Sequence, residues 1–178
     1  MSRDATKQQY STALIHLLET KSVEKTSVSS IANAAHLSRK TFYECFVDKY
    51  DLVNWTFKQL FDKTFGNITD ASNWQMYTKK LICGYLEYPT FYTEAFRCKC
   101  QNSLIEYATS AMETFYGQLI EERMAGLMDS RMRFAMRSFC IGGVAMIAEW
   151  AKNGMKESPE ELTLCFWMAI PDCIRRWL

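Results

Sequence analysis

Histidine is scarce in this chain, two in 178 residues, and that scarcity removes most acid–base and metal chemistry at the outset. His16 falls in an amphipathic segment and His36 in a polar break. The sequence holds no serine elbow, phosphate-cradling glycine loop or H-E-x-x-H pair to work with them. An enzyme is therefore not expected. The seven cysteines are an odd number spread along helix-like segments, and only Cys98 and Cys100 stand close together. A single C-x-C pair without a second cluster lacks the ligands of a zinc site, so free thiols, no metal and no cofactor are expected. Long alternating runs of β-branched residues are missing, which argues against a sheet. Also missing are a stretch of about 18 or more uncharged apolar residues and, in the opening M-S-R-D-A-T-K-Q-Q-Y, the apolar core of a leader peptide. The expected setting is the cytoplasm, without a membrane partner.

Neither sign of charge dominates: 21 Lys and Arg face 20 Asp and Glu. Residues 1–60 carry eight basic against six acidic residues, and the remainder 13 against 14. Any nucleic-acid footprint must accordingly be local and small, and doubled by a second copy of the chain.

What the chain does have, nearly throughout, is helical periodicity. Tyr10, Ala13, Leu14, Leu17 and Leu18 lie on one stripe of a helix over 3–20. Ser27 is placed to cap a helix from Val28 to Ala35 with Ile31 and Ala32 inward. Ser38 is placed to cap another, from Arg39 to Phe46, with Phe42 and Phe46 inward. Helices of two turns do not hold alone, so the first helix and the one predicted from Lys49 to Phe65 must complete their core. Gly66 to Asn73 reads as a break. Beyond it, helices are predicted over Trp74–Glu87, Phe91–Cys98, Gln101–Asp129 with a bend near Gly117, and Ser130–Asn153 ending at Gly154. Ser158-Pro159-Glu160-Glu161 is the clearest helix start, and its helix runs toward Trp177 with a kink at Pro171.

Residues 26–52, T-S-V-S-S-I-A-N-A-A-H-L-S-R-K-T-F-Y-E-C-F-V-D-K-Y-D-L, have the form of a short helix, a tight break and a second short helix. A recognition helix is short, is anchored by a few apolar residues, and exposes side chains that reach phosphates and base edges. With Phe42 and Phe46 inward, Arg39, Lys40 and Tyr43 project outward. Arg39 or Lys40 suits guanine O6 and N7, Thr41 a base or thymine methyl, and Tyr43 a phosphate. Lys49 and the helix starts at Ser27 and Ser38 are placed for phosphates as well. A solvated helical hairpin with a charged face has the same periodicity. Ile31-Ala32, Ala35, Leu37-Ser38, Tyr43, Phe46, Lys49 and Leu52 carry a more specific pattern, and through them the segment resembles the N-terminal domain of the TetR family of bacterial transcription regulators.

That resemblance implies that Arg39, Lys40 and Thr41 face the major groove, that Tyr43 and Lys49 hold phosphates, and that Ile31, Ala32, Ala35 and Phe46 form a small core. His36 stands where the family usually has glycine in the turn, which implies a non-glycine residue at positive φ. Lys40 stands where many members carry a small residue, which implies a shifted operator preference. The implied architecture is all-α: a helix-turn-helix DNA-binding domain over 1–50 and a helical dimerisation and effector domain over 51–178, linked by the helix at 49–65.

The C-terminal part is, by its own composition, suited to burial between subunits. Phe139, Gly142, Gly143 and Met146 fall on the penultimate predicted helix, and Leu162 and Phe166 on the last. The stretch from Phe134 to Ala148 is apolar on more than one side and is expected to be covered all round, with Gly142-Gly143 permitting close backbone approach. A monomer's interior core is the competing reading. Tyr85, Tyr88, Tyr92, Phe96, Tyr107 and Trp150 supply aromatics for a ligand pocket, or else plain core. The family resemblance implies a homodimer on a palindromic stretch of double-stranded DNA, under the control of a small-molecule effector or a partner protein. Within the family, R-K-T-F-Y-E-C-F-V-D-K-Y-D-L-V-N-W-T-F and the spacing to Tyr85, Phe91 and Tyr92 resemble the branch of dihydroxyacetone kinase operon activators, where the effector can be a kinase-subunit homologue. The competing class is a helical interaction module without autonomous DNA binding.

Overall fold

Side-chain caps set where most helices begin. In the computed structural model, which describes residues 2–66, 73–100 and 102–178, Ser2, Ser27, Ser38, Asp48, Ser103, Asp129 and Ser158 each accept a hydrogen bond from a first-turn amide. Each such cap contributes about 1 kcal/mol. The elements are α1 (Arg3–Leu18), α2 (Val28–Ala34), α3 (Arg39–Cys45), α4 (Lys49–Phe65), α5 (Trp74–Glu87), α6 (Pro89–Arg97), α7 (Leu104–Met124), α8 (Ser130–Lys152), α9 (Pro159–Ala169) and α10 (Asp172–Arg175), with no strand among the described residues. The architecture is all-α, as the periodicity predicts.

Three boundaries differ from the sequence reading. Pro89 not only ends α5 but opens α6, because a proline at the first helical position lacks only an amide that has no partner there. The helix predicted over 101–129 is shorter and continuous through Gly117: Ser103 caps its start, and Ala125 at φ 51° ends it. The kink expected at Pro171 is a full break. Ile170 is extended, α9 stops at Ala169, and a single turn, α10, follows. Most of the break predicted over Gly66 to Asn73 lies outside the described residues.

The N-terminal helices pack around Tyr10, Leu14, Phe42 and Leu52, all with essentially no exposure. α1 touches α2, α3, α4 and α6, and α4 continues onto α5 and α7. Gly84 sets the α4–α5 crossing, since a Cβ there would collide with the Leu60 side chain. One buried cluster therefore runs without interruption from α1–α3 through Phe57, Tyr85, Phe91 and Phe96 to Trp150. A second, around Trp74, Tyr116, Ile120, Met136, Ile174 and Leu178, closes the far end.

α8 has the length and apolar composition of a membrane-crossing helix, yet its inward face is packed against α6, α7 and α10 as a core helix. Met136, Cys140, Val144, Ile147 and Ala151 are buried. The expectation that it is covered all round fails within one chain: Phe134 is 75% exposed, Ile141 50% and Met146 57%. α9 adds Leu164 and Met168 to the exposed set. Nor do the paired glycines mediate a close approach inside the chain. A Cβ on Gly142 would meet nothing within 4 Å, and one on Gly143 would make an ordinary 3.6 Å contact with Phe166.

Candidate nucleic-acid interface and effector cavity

The turn between α2 and α3 is closed by backbone bonds that need a left-handed residue. Leu37 donates its amide to the Ala32 carbonyl at 3.0 Å and His36 to that of Asn33 at 3.1 Å, with His36 at φ 52°. This is a Schellman ending with histidine in the position glycine usually takes. The positive φ expected at His36 is therefore present.

Three side chains of α1 then fasten the pair from behind. Gln9 donates its Nε2 to the Ala35 carbonyl at 2.7 Å, Tyr10 its hydroxyl to that of Ser38 at 2.8 Å, and Arg3 a guanidinium nitrogen to that of Glu44 at 3.0 Å. They take carbonyls at the end of α2, the start of α3 and the end of α3. The Tyr10 ring also meets Phe42 edge-on at 5.2 Å between centroids. Burial is the first reason that the Tyr10 hydroxyl titrates above its ordinary range. Sequence periodicity puts Tyr10 inward; its polar end, and the roles of Gln9 and Arg3, were not foreseen, because their partners lie 28, 26 and 41 residues away.

Held in this way, α3 turns Phe42 into the core and leaves Ser38, Arg39, Lys40 and Tyr43 exposed, Tyr43 by 53%. Thr41 is half-buried, and its hydroxyl is engaged with Ser38 Oγ at 2.9 Å. Ser27 is exposed, but its hydroxyl and amide are occupied in a reciprocal cap with Ser30. Lys49 corrects the phosphate assignment. Its ammonium donates to the carbonyls of Val23 at 2.7 Å, Glu24 at 2.9 Å and Thr26 at 2.9 Å, which uses all three of its hydrogens. Lys49 ties the α1–α2 loop to the start of α4.

The aromatic residues divide. Between α5, α7, α8 and α9 lies an apolar cavity of about 50 Å³, and of the six residues predicted to line a pocket only Tyr85 and Phe96 reach it. Tyr92 stacks edge-on behind Tyr85 at 4.7 Å, while Tyr88 is exposed between α5 and α6. Tyr107 faces an open groove between α4 and α7, beside Lys58 and Asp62. Trp150 donates its indole N–H to the Glu157 carbonyl at 3.1 Å and fastens the α8–α9 loop. The polar groups of the cavity were missed: Thr78, and Trp74, whose indole N–H donates to the Tyr116 hydroxyl at 2.9 Å. Burial holds the Tyr116 hydroxyl far above its usual range, so it stays protonated. Helical spacing alone does not tell these positions from plain core.

The expected dimer residues divide in the same way. Gly142 and Met146 lie on the exposed face of α8, and Leu162 is half-buried against the first core. Phe139, Gly143 and Phe166 are half-buried and also line the cavity.

Residues 12–54 match the family described as bacterial regulatory proteins of the tetR family, and residues 72–166 a TetR-type transcriptional regulator C-terminal region. No curated protein matches the chain. Among solved structures, the dihydroxyacetone kinase operon activator DhaS superposes with a TM-score of 0.69 at 21% identity, covering 93% of each chain. A tetR-family regulator from Streptomyces coelicolor gives 0.61 at 16%, over 95% of this chain and 82% of that one. NalD of Pseudomonas aeruginosa, a secondary repressor of the MexAB-OprM multidrug efflux pump, gives 0.59 at 16%, over 96% and 99%. At these identities the likeness is one of fold.

Proposed function

We propose, for a chain that belongs to the TetR family and is therefore a DNA-binding transcriptional regulator, that it binds a near-palindromic operator as a homodimer through α3. The observation that carries this is the exposed Ser38, Arg39, Lys40 and Tyr43 edge on a helix pinned from behind by Gln9, Tyr10 and Arg3. Arg39 and Lys40 are the base-reading side chains, Tyr43 the phosphate contact, and Thr41 a methyl-bearing neighbour held in place by Ser38. Residues 1–50 act as the reading head and 51–178 as the body, with α4 shared between them.

Dimerisation is assigned to the outer face of α8 and α9, where Ile141, Gly142, Met146, Leu164 and Met168 present apolar surface. Two heads on one body engage half-sites about one helical turn, roughly 34 Å, apart. Control is assigned to the apolar cavity. At about 50 Å³ it is far smaller than the 300–1,000 Å³ of a formed drug-sized site, so an effector must open it by displacing side chains such as Phe139 or Phe166. The ligand suited to it is small, apolar and able to bond once, to Thr78 or Tyr116. One structural neighbour is named an activator and another a repressor, so the fold alone does not carry the direction of control.

Selection from a randomised pool of duplexes tests the reading. The expected product is an inverted repeat whose affinity for the protein falls steeply with salt. Arg39→Ala and Lys40→Ala are expected to change which repeats are preferred, and Tyr43→Phe to weaken all of them alike. No enrichment at low salt would show an interaction module instead.

A further inference from the structure

Cys98 and Cys100 belong neither to the exposed edge of α3 nor to the lining of the apolar cavity. Cys98 caps the end of α6 and is 5% exposed, while Cys100 is half-buried two residues on, and the Cys98 thiol points to the Cys100 sulfur at 2.9 Å. The pair sits against the α1–α2 loop and the start of α4. The Glu24 carboxylate lies beside the Cys98 thiol, and both sulfurs lie near the Tyr50 hydroxyl. The Glu24 carbonyl is one of the three that hold Lys49. Two sulfurs at contact distance therefore occupy the seam between body and reading head.

We propose that Cys98 and Cys100 are a redox site that a hydroperoxide converts to a disulfide, and that this bond lowers the affinity for DNA. The half-buried Cys100 supplies the attacking sulfur. Its sulfur bonds to one peroxide oxygen, the O–O bond breaks, and the other oxygen leaves with the Cys100 thiol proton as an alcohol or water. The Cys100 sulfenic acid is then attacked by the Cys98 sulfur. The S–S bond forms, the S–O bond breaks, and the hydroxide leaves as water with the Cys98 proton. Two thiols lose two electrons in total and the peroxide gains them. Burial raises the Cys98 thiol well above its ordinary pKa, which keeps it a thiol until its neighbour is oxidised.

Closing the pair from 2.9 Å to a bond of about 2.05 Å draws the chain after α6 inward, beside the Glu24 carboxylate. That displaces the loop that holds Lys49, and with it the starts of α2 and α4. The consequence for DNA rests on the regulator reading; the sulfur chemistry does not.

The test treats the full chain with hydrogen peroxide and follows peptides and DNA binding together. Because Lys99 separates the two cysteines, cleavage after it yields two peptides from the reduced protein and one linked species, lighter by two hydrogens, from the oxidised protein. Expected results are that linked species and a roughly tenfold weaker hold on the selected duplex, both reversed by dithiothreitol. Cys98→Ser and Cys100→Ser abolish the response, with Cys98→Ala, which keeps the site apolar, in reserve against misfolding. A variant with Ser at Cys83, Cys165 and Cys173 retains it. Oxidation confined to the exposed thiols, or Cys100 over-oxidised without linkage, overturns the chemistry. A linked pair with unchanged affinity overturns the regulation. A reduced protein that binds no duplex sinks the regulator reading, while the peptides still decide the disulfide.

Discussion

His36 takes the left-handed turn geometry that its neighbours in sequence imply, whereas Lys49 reaches a loop that they do not. His36 occupies a left-handed turn position at φ 52° that costs a β-carbon about 1 kcal/mol or more. His36→Gly is expected to raise stability by about that amount in a denaturant titration and to leave operator preference unchanged. The turn was legible because Ala35, Leu37 and Ser38 bracket it at fixed offsets. Lys49 was legible as a position but not as a contact, since its partners belong to a loop 23 to 26 residues earlier in the chain. Lys49→Met should destabilise the fold by about 1–3 kcal/mol by stripping three carbonyls of a charged donor. It should also leave the slope of DNA affinity against salt unaltered. A slope reduced by about one would restore Lys49 as a phosphate contact.

At the scale of elements, the serine and aspartate caps made helix starts readable, and Ser158-Pro159-Glu160-Glu161 does form the reciprocal cap its spacing predicts. Helix ends were less readable. The stop at Ala125 depends on a left-handed alanine, for which the sequence carries no signal. The two faces of α8 show the same limit. Apolar residues all round the helix are compatible with full burial or with one face awaiting a partner, and only the positions of α6, α7 and α10 decide between them. The exposed side, with Ile141 and Met146, is expected to be the subunit contact. Replacing both by glutamate should yield a folded monomer by sedimentation, with operator affinity about a hundredfold or more weaker through loss of bivalent binding. A dimer that survives the double substitution places the contact elsewhere.

At the scale of the molecule, burial of ionisable groups sets the alkaline limit. Tyr85, Tyr92 and Tyr116 are all raised by desolvation, and Cys140 rises from 9.0 to about 12 by the same cause. Each is an acid whose folded pKa lies above its unfolded value. Its contribution is therefore fully present below the unfolded value and is lost as pH rises through that value toward the folded one. These groups are thus expected to leave the unfolding free energy level up to about pH 9 and to lower it above that, first through Cys98 and Cys140 and from about pH 10 through the tyrosines. Tyrosinate absorbance should show a late fraction of tyrosines ionising together with unfolding. A smooth titration of all tyrosines in the folded protein would contradict that burial.

The sequence by itself determined the helix class, the family and the outward face of α3, because these depend on spacings within one or two turns. Which groups meet across the chain was decided only in the tertiary structure: the latch of Arg3, Gln9 and Tyr10, the commitment of Lys49, the narrow cavity that admits Tyr85 and Phe96 but not Tyr107 or Trp150, and the sulfur pair set against Glu24. Those contacts join residues far apart in the chain, and their geometry comes from how buried faces settle against one another.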